Sequence, residues 1–161
     1  MIKYLKKGSI IDILIVLIIF FLDRFSKIYV ISQNEINLSP NLFSSKYLNI
    51  SLIWNEGIAF GLFSFNEEIY YNLLTIFICL IVAIIIWLML RSKGFEKLCY
   101  IMIIGGSFGN VFDRIFYSAV PDFIDIHFNN FHWFIFNVAD IFITLGVFLL
   151  IYTEFFKKKD E

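Results

Sequence analysis

Three aspartates stand in stretches otherwise suited to hydrocarbon. Asp23 interrupts an apolar run from about Ile10 to Ile31, Asp113 closes a run from about Leu98 to Phe112, and Asp140 lies seven residues into a run that opens near Trp133. Carboxylates are costly inside a membrane, so each needs a partner or a function. Two carboxylates sharing one site can divide acid and base work. Their repulsion raises one pKa, so one acid keeps its proton while the other ionises. The ionised acid deprotonates a water and the protonated one polarises a peptide carbonyl, which hydrolyses an amide without a metal or a covalent intermediate. Asp140 is the first candidate, because no cation lies one turn away on its own helix. A partner is expected from Asp122-Phe123-Ile124-Asp125, which offers two acids.

Other chemistries fit parts of this set. Asp122, Asp125, His127 and His132 all carry metal-ligating atoms, although the histidine spacing is not the helical pair of zinc proteases. A serine or cysteine nucleophile lacks a recognisable motif. A buried acid in a small multi-span protein also suits the ion site of a transporter; the sizeable outer segments and the absence of Gly/Pro-broken spans weigh against it. Gly105, Gly106, Ser107 and Gly109 read as a surface for close helix approach, not a phosphate loop, since no strand precedes them.

The elements that must position these residues follow from composition. Of 161 residues, 60% are hydrophobic and only 17% charged, and 21 are Phe. A water-soluble globule of this size cannot hide so much apolar surface. A soluble enzyme, a disordered chain, a nucleic-acid binder and a disulfide scaffold are therefore excluded. Cys79 and Cys99 are too few for a framework, and Cys79, within an apolar run, is expected to be buried.

Four stretches approach the length of about 20 residues that crosses a bilayer. They are residues 10–31, 69–90, 98–112 and 133–152 of a single integral membrane domain spanning 1–161, with outer segments at 32–68 and 113–132. The first reads as a retained span, because no small-residue cleavage site follows it. Nine of thirteen cations lie in the N-tail (Lys3, Lys6, Lys7), the middle loop (Arg91, Lys93, Lys97) and the C-tail (Lys157, Lys158, Lys159), which places both termini in the cytoplasm. Asp12, with Lys6 and Lys7 near by, reads as an interfacial charge. In the outer segments, the alternating run Tyr47–Ile53 and the run Ile58–Phe63 suggest short strands, and the aromatic stretch 114–132 reads as lying at the membrane surface.

Depth then groups the acids. At about 1.5 Å per residue, Asp113 lies about 22 Å up its span and Asp140 about 10 Å in from the other side, in one layer with Asp23 beneath the outer face. Asn110 precedes Asp113 by three residues and Asn137 precedes Asp140 by three, so each acid is expected to share a helix face with an amide. Asp113 with Arg114, and Asp23 with Arg24 or Lys27, also read as structural ion pairs.

Five blocks in order resemble the bacterial lipoprotein signal peptidases, the signal peptidase II family of intramembrane aspartyl proteases. They are Asp23-Arg24-Phe25-Ser26-Lys27, Asn55-Glu56-Gly57-Ile58-Ala59-Phe60-Gly61, the Gly105–Arg114 run, Val120–Asp125, and Phe136-Asn137-Val138-Ala139-Asp140. Arg24, Ile58, Pro121 and Phe134 depart from the family's usual residues. The resemblance implies a catalytic pair, Asp122 and Asp140, supported by Asp23, Lys27, Asn55, Gly57, Asn110, Asp113, Arg114, Asn137 and Ala139. It implies four transmembrane helices with a small extracytoplasmic β-cradle and a short surface helix, in the inner membrane, with the active site near the outer face. The implied substrate is a diacylglyceryl prolipoprotein, cut just before its lipidated cysteine, and the implied inhibitor is globomycin. No metal, cofactor or nucleic acid is expected; the only other partner is membrane lipid, and the chain is expected to act as a monomer.

Overall fold

The chain's computed structural model describes residues 7–37, 41–57, 68–129 and 131–157. In chain order the elements are α1 (Lys7–Asn37), β1 (Asn41–Ser44), β2 (Leu48–Asn55), α2 (Glu68–Arg91), α3 (Gly94–Tyr117), β3 (Val120–Phe128), β4 (Phe131–Phe136) and α4 (Val138–Lys157). The turn between α2 and α3 is only Ser92 and Lys93, so the two helices must run antiparallel, and Gly94 takes the positive φ of 56° at the reversal.

The helices are inverted relative to a soluble protein. Leu14, Ile18, Phe25, Phe77, Leu80 and Phe148 are exposed, whereas Asp23, Lys27, Asp113 and Asn137 are 0% exposed. Lipid makes sense of that arrangement, since it solvates the apolar outside and drives polar groups toward one another. By length and composition, two described helical stretches are apolar enough to cross a membrane: Tyr71–Arg91 in α2 and Val138–Phe155 in α4. Four such stretches were expected. The helices α1 and α3 fall short because Asp12, Asp23, Arg24, Lys27, Lys97, Asp113 and Arg114 lie along them, and five of these, Asp23, Arg24, Lys27, Asp113 and Arg114, are buried.

Small residues let the inner faces close. A β-carbon on Gly106 would sit 2.5 Å from the carbonyl oxygen of Ala139, so α3 meets the first turn of α4 nearly backbone to backbone. A β-carbon on Gly109 would sit 2.3 Å from Asp23 Oδ2, so Asp23 reaches its partners only because that position is glycine.

The four strands form one antiparallel sheet in the order β1-β2-β3-β4. It is docked through Leu52 of β2 and Phe123 of β3, buried against Val30 of α1, with Ile31, Leu42, Ile50, Ile124 and Val138 packed around them. The register shifts between Ile50↔Ile124 and Ile53↔Asp122, so β2 carries one extra residue directly opposite Phe123. Such a bulge bends the strand and re-aims its neighbours. Asp122 is thereby held on a strand pinned to α1 and α4, not on a loop.

Several expectations are corrected. The stretch assigned to the outer surface is the end of α3 followed by the β3–β4 hairpin. Trp133 to Phe136, taken as the start of the fourth span, is strand β4; a bulky apolar run does not by itself distinguish strand from helix. Among the described residues no short surface helix occurs, and the Ile58–Phe63 run lies outside them. Cys79 is exposed on α2 and Cys99 is the buried cysteine. Asp12 pairs with Lys97 of α3.

Candidate active site

Lys27 is where the site begins. Its ammonium is wholly buried and donates to Asp23 Oδ2 (2.8 Å), Asp113 Oδ2 (2.7 Å) and Asn110 Oδ1 (2.9 Å). An ammonium has three N–H groups, and all three are used. Asp23 lies one turn before Lys27 on α1, so helix geometry alone makes that pair, while Asp113 and Asn110 come from α3. Asp113 also binds the Arg24 guanidinium, which lies over the Phe112 ring at 4.8 Å. Two cations and two carboxylates thus form a neutral cluster between α1 and α3.

From this cluster two arms reach outward. Asp23 Oδ1 accepts the backbone N–H of Ala139 (2.9 Å), fixing the start of α4. Asn110, with its carbonyl oxygen turned to Lys27, donates from Nδ2 to Asp140 Oδ1 (2.8 Å). The same Asn110 oxygen accepts Asn137 Nδ2 (3.1 Å), and Asn137 Nδ2 also donates to Asp122 Oδ1 (2.6 Å).

Asn137 is not on a shared helix face with Asp140, as its spacing suggested. It precedes α4 and caps it: its Oδ1 accepts the Asp140 N–H (3.1 Å), and its own N–H donates to Asp140 Oδ2 (3.1 Å). This is a reciprocal capping box, with Asn and Asp in the roles often played by Ser and Glu. The Asn-x-x-Asp spacing directly before an apolar run was the signal that points to it. Asn110 likewise serves Asp140 and Lys27, not Asp113 on its own helix.

Asp122 is 3% exposed. Its second oxygen accepts Asn55 Nδ2 (2.8 Å); Asn55 Oδ1 accepts the Gly57 N–H (2.9 Å), and the Gly57 carbonyl accepts Arg114 Nη2 (3.2 Å). Arg114 also donates to the Asn110 carbonyl (3.2 Å), which closes the ring of contacts. It does not pair with Asp113. Burial, and next the negative charge of Asp140, push the Asp122 carboxyl up to about 6, against the pull of Asn55, Asn137 and Lys27.

Asp125, the other acid open in the sequence, is turned elsewhere. Residues three apart on a strand face opposite ways. Asp125 accepts Asn49 Nδ2 (3.0 Å) and lies 2.9 Å from His132 Nδ1. Burial alone would raise its carboxyl, but Asn49 and His132 outweigh that and hold it below the ordinary value. The structure therefore brings Asp122 and Asp140 onto one residue, Asn137, through its side-chain amide and its backbone N–H, and leaves Asp125 with the histidines. Gly109 is the positioning residue that spacing alone did not isolate, since the clash it avoids is with a different helix.

The chain is similar to known proteins. The family model described as signal peptidase (SPase) II matches residues 15–156. The chain belongs to the signal peptidase II family. A lipoprotein signal peptidase of Pelagibacter ubique (strain HTCC1062) is 49% identical over 158 residues, 96% of this chain and 95% of that protein. One from Anaplasma phagocytophilum (strain HZ) is 37% identical over 156 residues, 94% of this chain and 96% of its own. In three dimensions the chain resembles two solved bacterial membrane enzymes. One has a TM-score of 0.79 at 24% identity, covering 99% of this chain and 94% of the other. The second has a TM-score of 0.68 at 26% identity, covering 94% of each. Signal peptidase II membership makes this chain a membrane peptidase.

Two predictions follow from the geometry. Replacing Lys27 by Met strands two buried carboxylates, and detergent-solubilised Lys27→Met is expected to lose about 3–5 kcal/mol of stability in chemical denaturation. Asp122 has a folded pKa above its unfolded value of 3.8, so the folded state binds the extra proton between about pH 4 and pH 6. Its contribution, about 3 kcal/mol, is present below pH 4 and is lost as pH rises through about 6. Comparing stability against pH for wild type and Asp122→Asn measures it: the variant should lack that decline.

Proposed function

We propose that the chain removes signal peptides from diacylglyceryl-modified prolipoproteins, cutting just before the lipidated cysteine, with Asp122 and Asp140 as the catalytic pair. The observation that carries this reading is that two carboxylates from separate elements, a strand and a helix N-terminus, are held by one residue, Asn137, whose side-chain amide donates to Asp122 and whose backbone N–H donates to Asp140. The pair keeps one proton between them. One acid carries that proton, while the other draws a proton from the attacking water. The protonated acid then hydrogen-bonds the scissile carbonyl as its oxygen gains charge, and passes its proton toward the leaving amine.

The other residues hold the pair in register. Lys27, Asp23 and Asp113 fix Asn110 and the first turn of α4. Asn55, Gly57 and Arg114 fix Asp122 from the opposite side. Ala139 supplies both the contact with Gly106 and the N–H taken by Asp23.

The setting suits the substrate. All four long helices cross the bacterial inner membrane, α1 and α3 with their charges turned inward, so that 1–161 acts as one integral membrane domain. The distribution of lysine and arginine puts both termini in the cytoplasm and the sheet outside. A precursor anchored by two acyl chains and a signal helix presents its scissile bond near the outer interface, where water reaches the pair. The enzyme acts as a monomer surrounded by lipid, and globomycin is expected to inhibit it.

The test is mass spectrometry of a diacylated lipobox peptide incubated with the purified protein. Wild type should release the signal fragment, with globomycin blocking release. Asp122→Asn and Asp140→Asn should each abolish cleavage while expressing normally, and wild-type turnover by either refutes the pair. Cleavage should continue unchanged in excess EDTA; loss of activity there would instead implicate a metal.

A further inference from the structure

A second cluster of chemistry-bearing side chains lies on the β3–β4 hairpin, away from Asn137. His127 and His132 are direct partners across the two strands, with rings stacked 5.0 Å apart at 20°. Asp125 stands two residues before His127 on the same strand, hence on the same face. One ligating atom from each of the three lies within 4.8 Å of the others. Asp125 already accepts from His132 Nδ1 (2.9 Å). His127 Nδ1, by contrast, is shut off from solvent and has no hydrogen-bond partner among the described residues.

The buried His127 ring nitrogen calls for a partner, and a single divalent cation supplies one, because it takes lone pairs from neutral imidazoles and charge from one carboxylate. Two histidines and a carboxylate suit a borderline cation such as Zn²⁺, and poorly suit Mg²⁺ or Ca²⁺. Tetrahedral zinc with bonds near 2.0–2.2 Å needs ligand atoms about 3.3–3.5 Å apart, so side-chain rotations of about 1 Å complete the site. Water would fill the open position.

We propose that Asp125, His127 and His132 form a Zn²⁺ site that clips β3 to β4. The site lies three residues from Asp122 on the same strand but shares no ligand with it. Its role is to stiffen the sheet that carries Asp122, outside the reacting atoms.

The test uses the full-length, detergent-solubilised protein stripped with a chelator. Zinc chloride should bind at one ion per chain and raise Tm by about 5 °C at saturating excess, and EDTA should reverse the rise. His132 has a 53% exposed side chain, so His132→Gln should fold; it should bind zinc at least tenfold more weakly and show no zinc-dependent rise. Asn49→Ala, which removes a neighbour of Asp125 but no ligand, should keep the rise. Absence of stoichiometric binding by wild type, or equal binding by His132→Gln, overturns the site. Neither readout involves peptide cleavage, so the result is independent of the proposed peptidase reaction.

Discussion

One buried ammonium constrains the interior of this protein. Lys27 is wholly buried, so its three N–H groups must each find an acceptor in protein, and they find Asp23, Asp113 and Asn110. Those acceptors bring α1 and α3 together at a fixed rotation and height. The partners of the acceptors extend the constraint: Arg24 neutralises Asp113, Ala139 takes the free oxygen of Asp23, and Asn110 turns its amide to Asp140. In hydrocarbon there is no competing solvent, so a misplaced member of this set loses its partner outright.

The network also explains how two acids can be held close without being neutralised. Each oxygen of Asp122 and Asp140 accepts from an amide, either an asparagine side chain or a backbone N–H, and among the described residues none accepts from a cation. Lys27 and Arg24 bind Asp23 and Asp113 instead, and Arg114 binds backbone carbonyls. Amides orient a carboxylate without fixing its protonation state as strongly as an ion pair does. A direct Lys or Arg contact would keep Asp122 ionised, whereas its actual surroundings raise its carboxyl to about 6.

The sheet plays the complementary part. It is small, and its hydrophobic contact with the helices rests on Leu52, Phe123 and Val30. That contact sets where β3 lies, and the bulge in β2 adjusts the strand opposite Phe123. Asp122 is therefore positioned by the sheet and Asp140 by the helices, with Asn137 at the junction of β4 and α4 joining the two.

The amino-acid sequence by itself determined the solvent, the long helices and the identity of the polar residues. These are properties of local composition: 60% hydrophobic content excludes water as the surrounding medium, and apolar runs of fixed length can only be long elements. The ordered blocks around Asp23, Asn55, Gly109, Asp122 and Asp140 marked the family. What only the tertiary structure decided is who partners whom. Spacing assigned Asn110 to Asp113 and Asn137 to a face shared with Asp140, because it sees neighbours on one helix; the long-range bonds instead run between helices. Hydropathy merged Trp133–Phe136 with the following helix, because transfer free energy does not depend on whether a residue is in a strand or a helix. Spacing left Asp122 and Asp125 both open and the family resemblance favoured Asp122; in three dimensions strand alternation turns Asp122 toward Asn137 and Asp125 toward His132.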